Sequence, residues 1–274
     1  MNRSPAVAGT FYPKNKDVLK RDVGRFISEA NVGEEVSSAI SYVAPHAGYK
    51  YSGAVAGFTY KALGMNRTLD RIDTFVIIGP NHTGMGYPVS ISGADWEMPF
   101  GIVKNDIELS GEIASHDGMA IDEDAHIMEH SIEVQLPFLQ EVVINPKCCF
   151  IYMGDQSVEY CKMLESAISK SAKRLGRRII VIASSDMNHY ESAEEARKKD
   201  LEALDEIAAL RPENFHESII KSGDSACGFG PITVSAMFAK GNGAKAGKVL
   251  KYANSGEITG DYESVVAYTS IAFV

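Results

Sequence analysis

Three histidines stand where short apolar runs break off. His46 follows Tyr42-Val43-Ala44-Pro45, His82 follows Phe75-Val76-Ile77-Ile78-Gly79-Pro80-Asn81, and His189 closes Ser184-Ser185-Asp186-Met187-Asn188 after the run Ile179 to Ala183. A neutral imidazole binds metals and titrates near neutral pH. In open α/β sheets ligands bind beyond the carboxyl ends of the strands, so three such ends predict one site. Asp186 shares a loop with His189 and can orient its imidazole or adjust its basicity. The alternative is a turn in which Asp186 bonds its own backbone. Cys227 sits in Gly223-Asp224-Ser225-Ala226-Cys227-Gly228-Phe229-Gly230-Pro231, a glycine-rich loop that opens a helix, and a helix N-terminus favours the thiolate. One thiolate and two imidazoles can hold iron, copper or zinc, with positions left open for catalysis. The plain alternative is a small side chain filling a gap between glycines.

His126-Ile127-Met128-Glu129-His130 matches the H-x-x-E-H pattern of inverted zinc proteases. Asp122-Glu123-Asp124 crowds its front, and Pro137 interrupts the helical spacing on its far side. A capped helix start carrying a partly buried His130 is the stronger reading. Cys148, Cys149 and Cys161 fall on strand or helix patterns, where cysteine behaves as a small hydrophobe.

The elements that position these residues are read from periodicity. Short apolar runs bounded by turn signals fit strands covered on both faces, as in parallel sheets with helical crossovers. Cys149 to Met153 is a further run of this kind. Leu19, Val23, Phe26, Ile27 and Ala30 recur at helical spacing behind Asn15, a capping residue. The small residues Ala54-Val55-Ala56-Gly57 after His46 suit a helix packed closely on the sheet. Its N-terminal N–H groups would face the site and favour an anion. Val89 to Ser92 with Trp96 to Val103 suggests an edge hairpin, Pro99 confining that strand to the margin. Helices are predicted from about Asp106 to His116, from Val158 to Leu175, from Ser192 to Leu210 and through Phe238. Two strands, Lys248 to Asn254 and Ser264 to Val274, close the chain.

The chain has 274 residues, 45% of them hydrophobic and 23% charged, which suits one folded domain over 1–274. A net charge of -9 argues against non-specific nucleic-acid binding, which needs a positive surface. The opening Met1 to Gly9 lacks the apolar core of a signal peptide, and no apolar run approaches membrane-spanning length. The expectation is a cytoplasmic protein that engages no membrane. Four cysteines without metal-type spacing do not form a disulfide framework.

Ala44-Pro45-His46-Ala47-Gly48-Tyr49, Gly79-Pro80-Asn81-His82, Glu129-His130-Ser131-Ile132-Glu133-Val134-Gln135-Leu136-Pro137-Phe138 preceded by Asp122-Glu123, Ser184 to His189, and Cys227-Gly228 together resemble the MEMO family in motif, order and spacing. The resemblance spans nearly the whole chain. It implies the fold of class III extradiol dioxygenases, one three-layer α/β domain with a mostly parallel or mixed central sheet flanked by helices. It further implies that His46, His82 and Cys227 hold a metal, iron(II) first, with copper or zinc as alternatives. Asp186 and His189 then lie beside the metal, His130 lines the pocket, and these three are the candidate catalytic residues. The dioxygenases use a carboxylate as third ligand where this chain has Cys227, and a thiolate changes the metal's potential and the face that activates oxygen. Eukaryotic members are associated with signalling, phosphotyrosine-peptide binding and iron or copper handling; prokaryotic ones are linked to an AMMECR-type protein and a radical-SAM protein. The residues support two readings: a metal-dependent oxidoreductase, or a binding protein for a small phenolic or anionic group.

Overall fold

The computed structural model describes residues 2–274. Among the strands, β1 (Asn2–Arg3), β2 (Ser41–Ala44), β3 (Thr74–Pro80), β4 (Val89–Ile91), β5 (Asp95–Met98) and β6 (Gly101–Asn105) belong to the first half of the chain. They are followed by β7 (Met119–Ile121), β8 (Lys147–Met153), β9 (Ile179–Ser184), β10 (His189–Glu191), β11 (Gly247–Asn254) and β12 (Val265–Phe273). The main path of the sheet runs β1-β5-β6-β8-β3-β9-β2-β12-β10, with β11 beside β12 and β4 between β7 and β8. The centre, β6-β8-β3-β9-β2, is parallel, and the margins are partly antiparallel, as where β12 meets β2 and β11.

Helices cover both faces. The chain-ordered set is α1 (Lys16–Glu29), α2 (Tyr49–Gly64), α3 (Ile107–Ala114), α4 (Leu136–Val142), α5 (Val158–Leu175), α6 (Ala193–Ala208), α7 (Pro212–Ser222), α8 (Phe229–Gly241) and α9 (Gly256–Thr259). Strand alternation assigns the layers. Phe75 and Ile77 of β3 face a core shared with α1, α2 and α4, through Leu19, Tyr60 and Phe138. Val76 and Ile78 face the opposite core, built with α3, α5 and α8 through Leu109, Leu164 and Val234. Val43 and Ala183 join a third cluster under α6, α7 and α8. This is a three-layer α/β domain on a twelve-stranded mixed sheet, and a strand buried on both faces is why these runs lack polar alternation.

Helix boundaries follow local chemistry. Asn15 caps α1 by accepting from the N–H groups of Asp17 and Val18, and Ser192 caps α6 by accepting from Glu195. Gly176 ends α5 in the left-handed conformation that its missing Cβ permits. Three local expectations are corrected. β4 does not form a hairpin with the next strand but pairs with β7 and β8, while β5 and β6 are the hairpin and Pro99 lies in its turn. His130 lies just ahead of the helical turns rather than in them: its carbonyl accepts from the Val134 N–H at 3.1 Å, a 3-10 turn spans Glu133–Gln135, and α4 follows from Leu136. Pro137 falls in the first turn of α4, where its missing N–H costs nothing. Helix α7 goes beyond the sequence reading, although Pro212 at its start and Gly223 at its end carry the usual signals.

Candidate metal centre

β3, β9 and β2 lie side by side and run parallel, so the residues after their carboxyl ends emerge together. His82 comes from β3, Asp186 from β9 and His46 from β2. The loop before α8 brings Cys227 over the same edge. That approach needs a glycine: a Cβ on Gly228 would lie 2.5 Å from the Ser184 carbonyl oxygen. The N–H of Gly228 donates to Ser185 Oγ at 2.9 Å, and Gln156 Nε2 donates to the Cys227 carbonyl at 2.8 Å. Gly79 plays a similar part at the end of β3, where a Cβ would meet Ser131 Oγ at 2.5 Å. The loop carrying Glu129 and His130 can therefore settle on the strand.

His46 Nε2 and Cys227 Sγ are 3.2 Å apart, the separation of two donors that share one ion at bonds of about 2.0–2.3 Å. Donor atoms of His46, His82 and Cys227 all lie within 4.8 Å of one another. Their supports set the tautomers. Ser184 Oγ donates its one proton to the Ser131 carbonyl at 2.6 Å and accepts from Gln135 Nε2 at 2.8 Å. His46 Nδ1, 3.0 Å from the same oxygen, must then be the donor, which leaves Nε2 with a free lone pair. His82 Nδ1 faces Glu129 Oε1 at 3.0 Å, so Nδ1 is the donor and Nε2 is the atom left for a metal, which would displace any proton there. This is the carboxylate–histidine arrangement that orients metal ligands.

Glu129 is buried and saturated with donors. It accepts from the backbone N–H groups of His82, at 2.5 Å, and of His130 and Ser131, at 2.8 and 3.0 Å. Burial pushes its carboxyl up, but the His82 bond and charge and the Ser131 N–H outweigh it and hold the group at about 2. A second group of possible donors, His82, Glu129 and His130, also comes together. Its carboxylate is already committed to four N–H groups, which makes it a hub of hydrogen bonds rather than a vacant ligand.

The remaining ionisable groups feel burial first. His46 is held well below the ordinary imidazole value by burial and then by the neighbouring His130, His82 and His189. His130 and His189 are also lowered, burial being the largest cause in each. For His82 burial acts downward, but the Glu129 carboxylate overcomes it and raises the value. Burial pushes the Asp186 carboxyl up to about 7, against the N–H groups of His46 and Ala47.

Three expectations need correction. Burial, with the Asp186 charge, pushes the Cys227 thiol well up, so the helix start does not make it a thiolate by itself; a bound cation would have to displace the proton. Asp186 does not orient His189. Its Oδ1 accepts from the backbone N–H groups of His46 and Ala47 at 2.7 and 3.3 Å, and His189 Nδ1 is held instead by the Ser225 carbonyl at 3.1 Å. The N–H groups of His46 and Ala47 ahead of α2 are therefore occupied by Asp186, and that of Tyr49 donates to the Phe11 carbonyl at 2.8 Å, which leaves those of Gly48, in the cavity lining, and Lys50 at this helix start. His126 stands apart, fully buried against Trp96 and Tyr152 and in neither donor group. The H-x-x-E-H residues thus share no helical face. Glu129, read from the sequence only as part of that motif, is the support residue that sequence reasoning missed; its position beside His130 was the available signal.

His46, His82, His130, Asp186 and His189 line one cavity of about 570 Å³, so these sequence-derived residues converge, while Cys227 contacts His46 from outside the lining. His130 and His82 stack at 5.0 Å between centroids, and Phe11 lies 4.6 Å from His130.

An α/β domain with two imidazole nitrogens and a thiol gathered at the carboxyl ends of its parallel strands defines a metal-capable pocket protein. A family profile described as Memo-like protein matches residues 3–272. The MEMO1 family protein of Methanosarcina mazei is 40% identical over 276 residues, covering 98% of both chains. That of Desulfurococcus amylolyticus is 40% identical over 287 residues, covering 99% of this chain and 98% of its own. That of Methanopyrus kandleri is 39% identical over 289 residues, covering 100% and 99%. The chain belongs to the Memo family. None of its described helices is long and apolar enough to cross a membrane.

Proposed function

We propose that this Memo-family chain holds a first-row transition metal through His46, His82 and Cys227 and uses it in redox chemistry on a small molecule bound in the adjoining cavity. The observation that carries the reading is the convergence of donor atoms of His46, His82 and Cys227 within 4.8 Å of one another, each imidazole held by a bond at Nδ1 and the sulfur 3.2 Å from His46 Nε2. The donor set fits such an ion, since imidazole and thiolate suit iron, copper and zinc; iron(II) is the first choice from the family resemblance, with copper or zinc as alternatives. A bound ion would supply electron transfer and polarisation of a coordinated ligand atom. Glu129 holds His82 in register and Ser184 holds His46. Asp186 ties down the Pro45-His46-Ala47 backbone. His130 and His189, both lowered by burial and lining the cavity, can exchange a proton with the ligand. The suggested link to AMMECR-type and radical-SAM proteins remains part of this proposal through the same resemblance.

The thiol in place of a carboxylate favours a second reading, a binding protein that holds the metal or a phenolic group without turnover. Metal content of anaerobically purified and reconstituted protein tests both readings, with Cys227→Ser and His82→Ala alongside. One ion per chain is expected in the wild type and strong loss in both variants. Absence of any first-row metal from reconstituted wild type would overturn the site. Product formation from hydroxylated aromatic compounds by the loaded protein separates turnover from binding.

A further inference from the structure

A cysteine has one torsion between its backbone and its sulfur, so the main chain around Cys227 decides where Sγ can lie. Residues 224–228 form no helix or strand, and their anchors come from elsewhere in the chain. Upstream of the cysteine, Ser225 is tied to His189: its Oγ accepts from the His189 N–H at 2.8 Å. Downstream, the Gly228 N–H donates to Ser185 Oγ at 2.9 Å. The remaining anchor is Gln156, in the turn between β8 and α5. Its Nε2 donates to the Cys227 carbonyl at 2.8 Å, and its Oε1 accepts from the Gly230 N–H at 2.8 Å. A carbonyl only accepts and a backbone N–H only donates, so these two partners leave the amide a single orientation. One side chain thus joins the cysteine's own carbonyl to the first turn of α8.

Gln156 is itself held in place. Its carbonyl accepts from His216 Nε2 of α7 at 2.8 Å, and the His216 ring packs on Phe229 with 5.1 Å between centroids. The N–H groups of Gly154 and Asp155, just before it, donate to the Pro88 carbonyl at 2.8 and 3.0 Å. Gly230 leaves the side chain its space, since a Cβ there would lie 2.8 Å from Gln156 Cβ. Gln156 is in neither group of possible metal donors and does not line the strand-end cavity.

We propose that Gln156 is the positioning residue of the Cys227 sulfur: its amide, backed by His216, holds the backbone of residues 227–230 so that Sγ stays 3.2 Å from His46 Nε2. The consequence for an ion rests on the proposed metal site, but the clamp belongs to the chain with or without one. A ligand whose support is lost typically costs about tenfold or more in affinity, because the donor must be brought back to its place each time the ion binds.

The test compares three variants of the full chain. Gln156→Met keeps a side chain of similar length and loses both polar atoms, His216→Leu removes the backing N–H, and His216→Gln returns an amide N–H near the position of Nε2. On metal-stripped protein, the rate at which iodoacetamide labels Cys227 is read by mass spectrometry beside the melting profile, the other three cysteines being buried. On protein loaded with cobalt(II), the sulfur-to-cobalt absorption band and the affinity against a chelator are measured. Gln156→Met is expected to speed labelling about tenfold, the opening that the loss of two net hydrogen bonds allows, to weaken cobalt binding by at least about tenfold, and to shift or diminish the band. His216→Leu should act in the same direction more weakly, and His216→Gln should restore the wild-type values. A Gln156→Met chain that melts earlier but keeps the wild-type labelling rate below its transition has lost only stability, and that result overturns the proposal. If Gln156→Met does not fold, wild-type labelling in His216→Leu overturns it instead, and failure of His216→Gln to restore the rate overturns the part given to His216. A wild-type chain that takes up no cobalt counts against the metal site, and labelling of the stripped chain still decides whether Gln156 holds the sulfur.

Discussion

Ser184 has one hydroxyl proton and a carbonyl, an amide and an imidazole around its oxygen. The carbonyl of Ser131 takes the proton and the amide of Gln135 supplies another, so His46 must donate from Nδ1. Gln135 is itself fixed by Pro45, whose carbonyl accepts from its Nε2 at 2.9 Å, and by Tyr60, which donates to its Oε1 at 3.0 Å. A chain of neutral groups deep in the core thus sets which nitrogen of the buried His46 ring is turned to the candidate site. Ser184→Ala and Glu129→Gln should each lower metal affinity by about 10–100-fold, the usual cost of losing such a support. Competition against a chelator measures this, and unchanged affinity in both variants, with melting profiles intact, would contradict the assigned tautomers. Acid acts in the same direction through Glu129. Its carboxylate is depressed in the fold, so its contribution to stability is present above the ordinary glutamate range and is lost as pH falls towards about 2.

At the scale of elements, the turn segment from His126 to Glu133 is pinned by β1 rather than by a helix of its own. Arg3 Nε donates to the His126 carbonyl and Nη2 to the Glu129 carbonyl, both at 2.6 Å, and Nη1 pairs with Glu133 Oε2 at 2.7 Å. Glu133 also accepts from the N–H groups of Ala6 and Val7 and from the Tyr12 hydroxyl. Removing one member of this buried pair strands the other charge. Arg3→Met should therefore cost about 3–5 kcal/mol in denaturant unfolding; a loss below about 1 kcal/mol would show that the network does not hold the loop. Which elements are legible in the sequence follows from how local their causes are. The bounds of α5 and the caps of α1 and α6 are readable because Ser157, Asn15 and Ser192 act within three residues of themselves. The runs of β3 and β9 are readable because both faces are buried. The partners of β4 are not, because β7 and β8 are set by tertiary packing, and neither is Glu129's bond to His82, which joins residues 47 positions apart.

Across the whole molecule, the candidate site lies at one end of the parallel strands, and a buried acid pair adjoins it. Asp200 accepts from the Asn188 N–H at 3.1 Å and from the Tyr252 hydroxyl at 2.6 Å. Burial, reinforced by Asp224, holds its carboxyl well above the ordinary carboxylate range. A group protonated in the fold and ionised in the unfolded chain binds more protons when folded, so stability falls as pH rises above that ordinary range. The melting temperature should drop between about pH 5 and about pH 8, and Asp200→Asn should flatten the slope. A wild-type profile already flat over that interval would contradict the assignment. The convergence of His46, His82, Asp186 and His189 on one edge was legible from strand-end grammar, because parallel strands deliver their carboxyl ends together, whereas His130 came only through the family resemblance. The backbone-tying role of Asp186 and the raised thiol of Cys227 were not, since both depend on neighbours brought in by other elements.

The central claim is that one ion is bound by His46, His82 and the sulfur of Cys227. Its most direct test is the electronic absorption spectrum of the chain loaded with cobalt(II) under anaerobic conditions. The structure predicts a sulfur-to-cobalt charge-transfer band that is abolished by Cys227→Ser, with four-coordinate-type visible bands altered by His46→Ala and His82→Ala. A cobalt spectrum without that band, or one that Cys227→Ser leaves unchanged, would contradict the account.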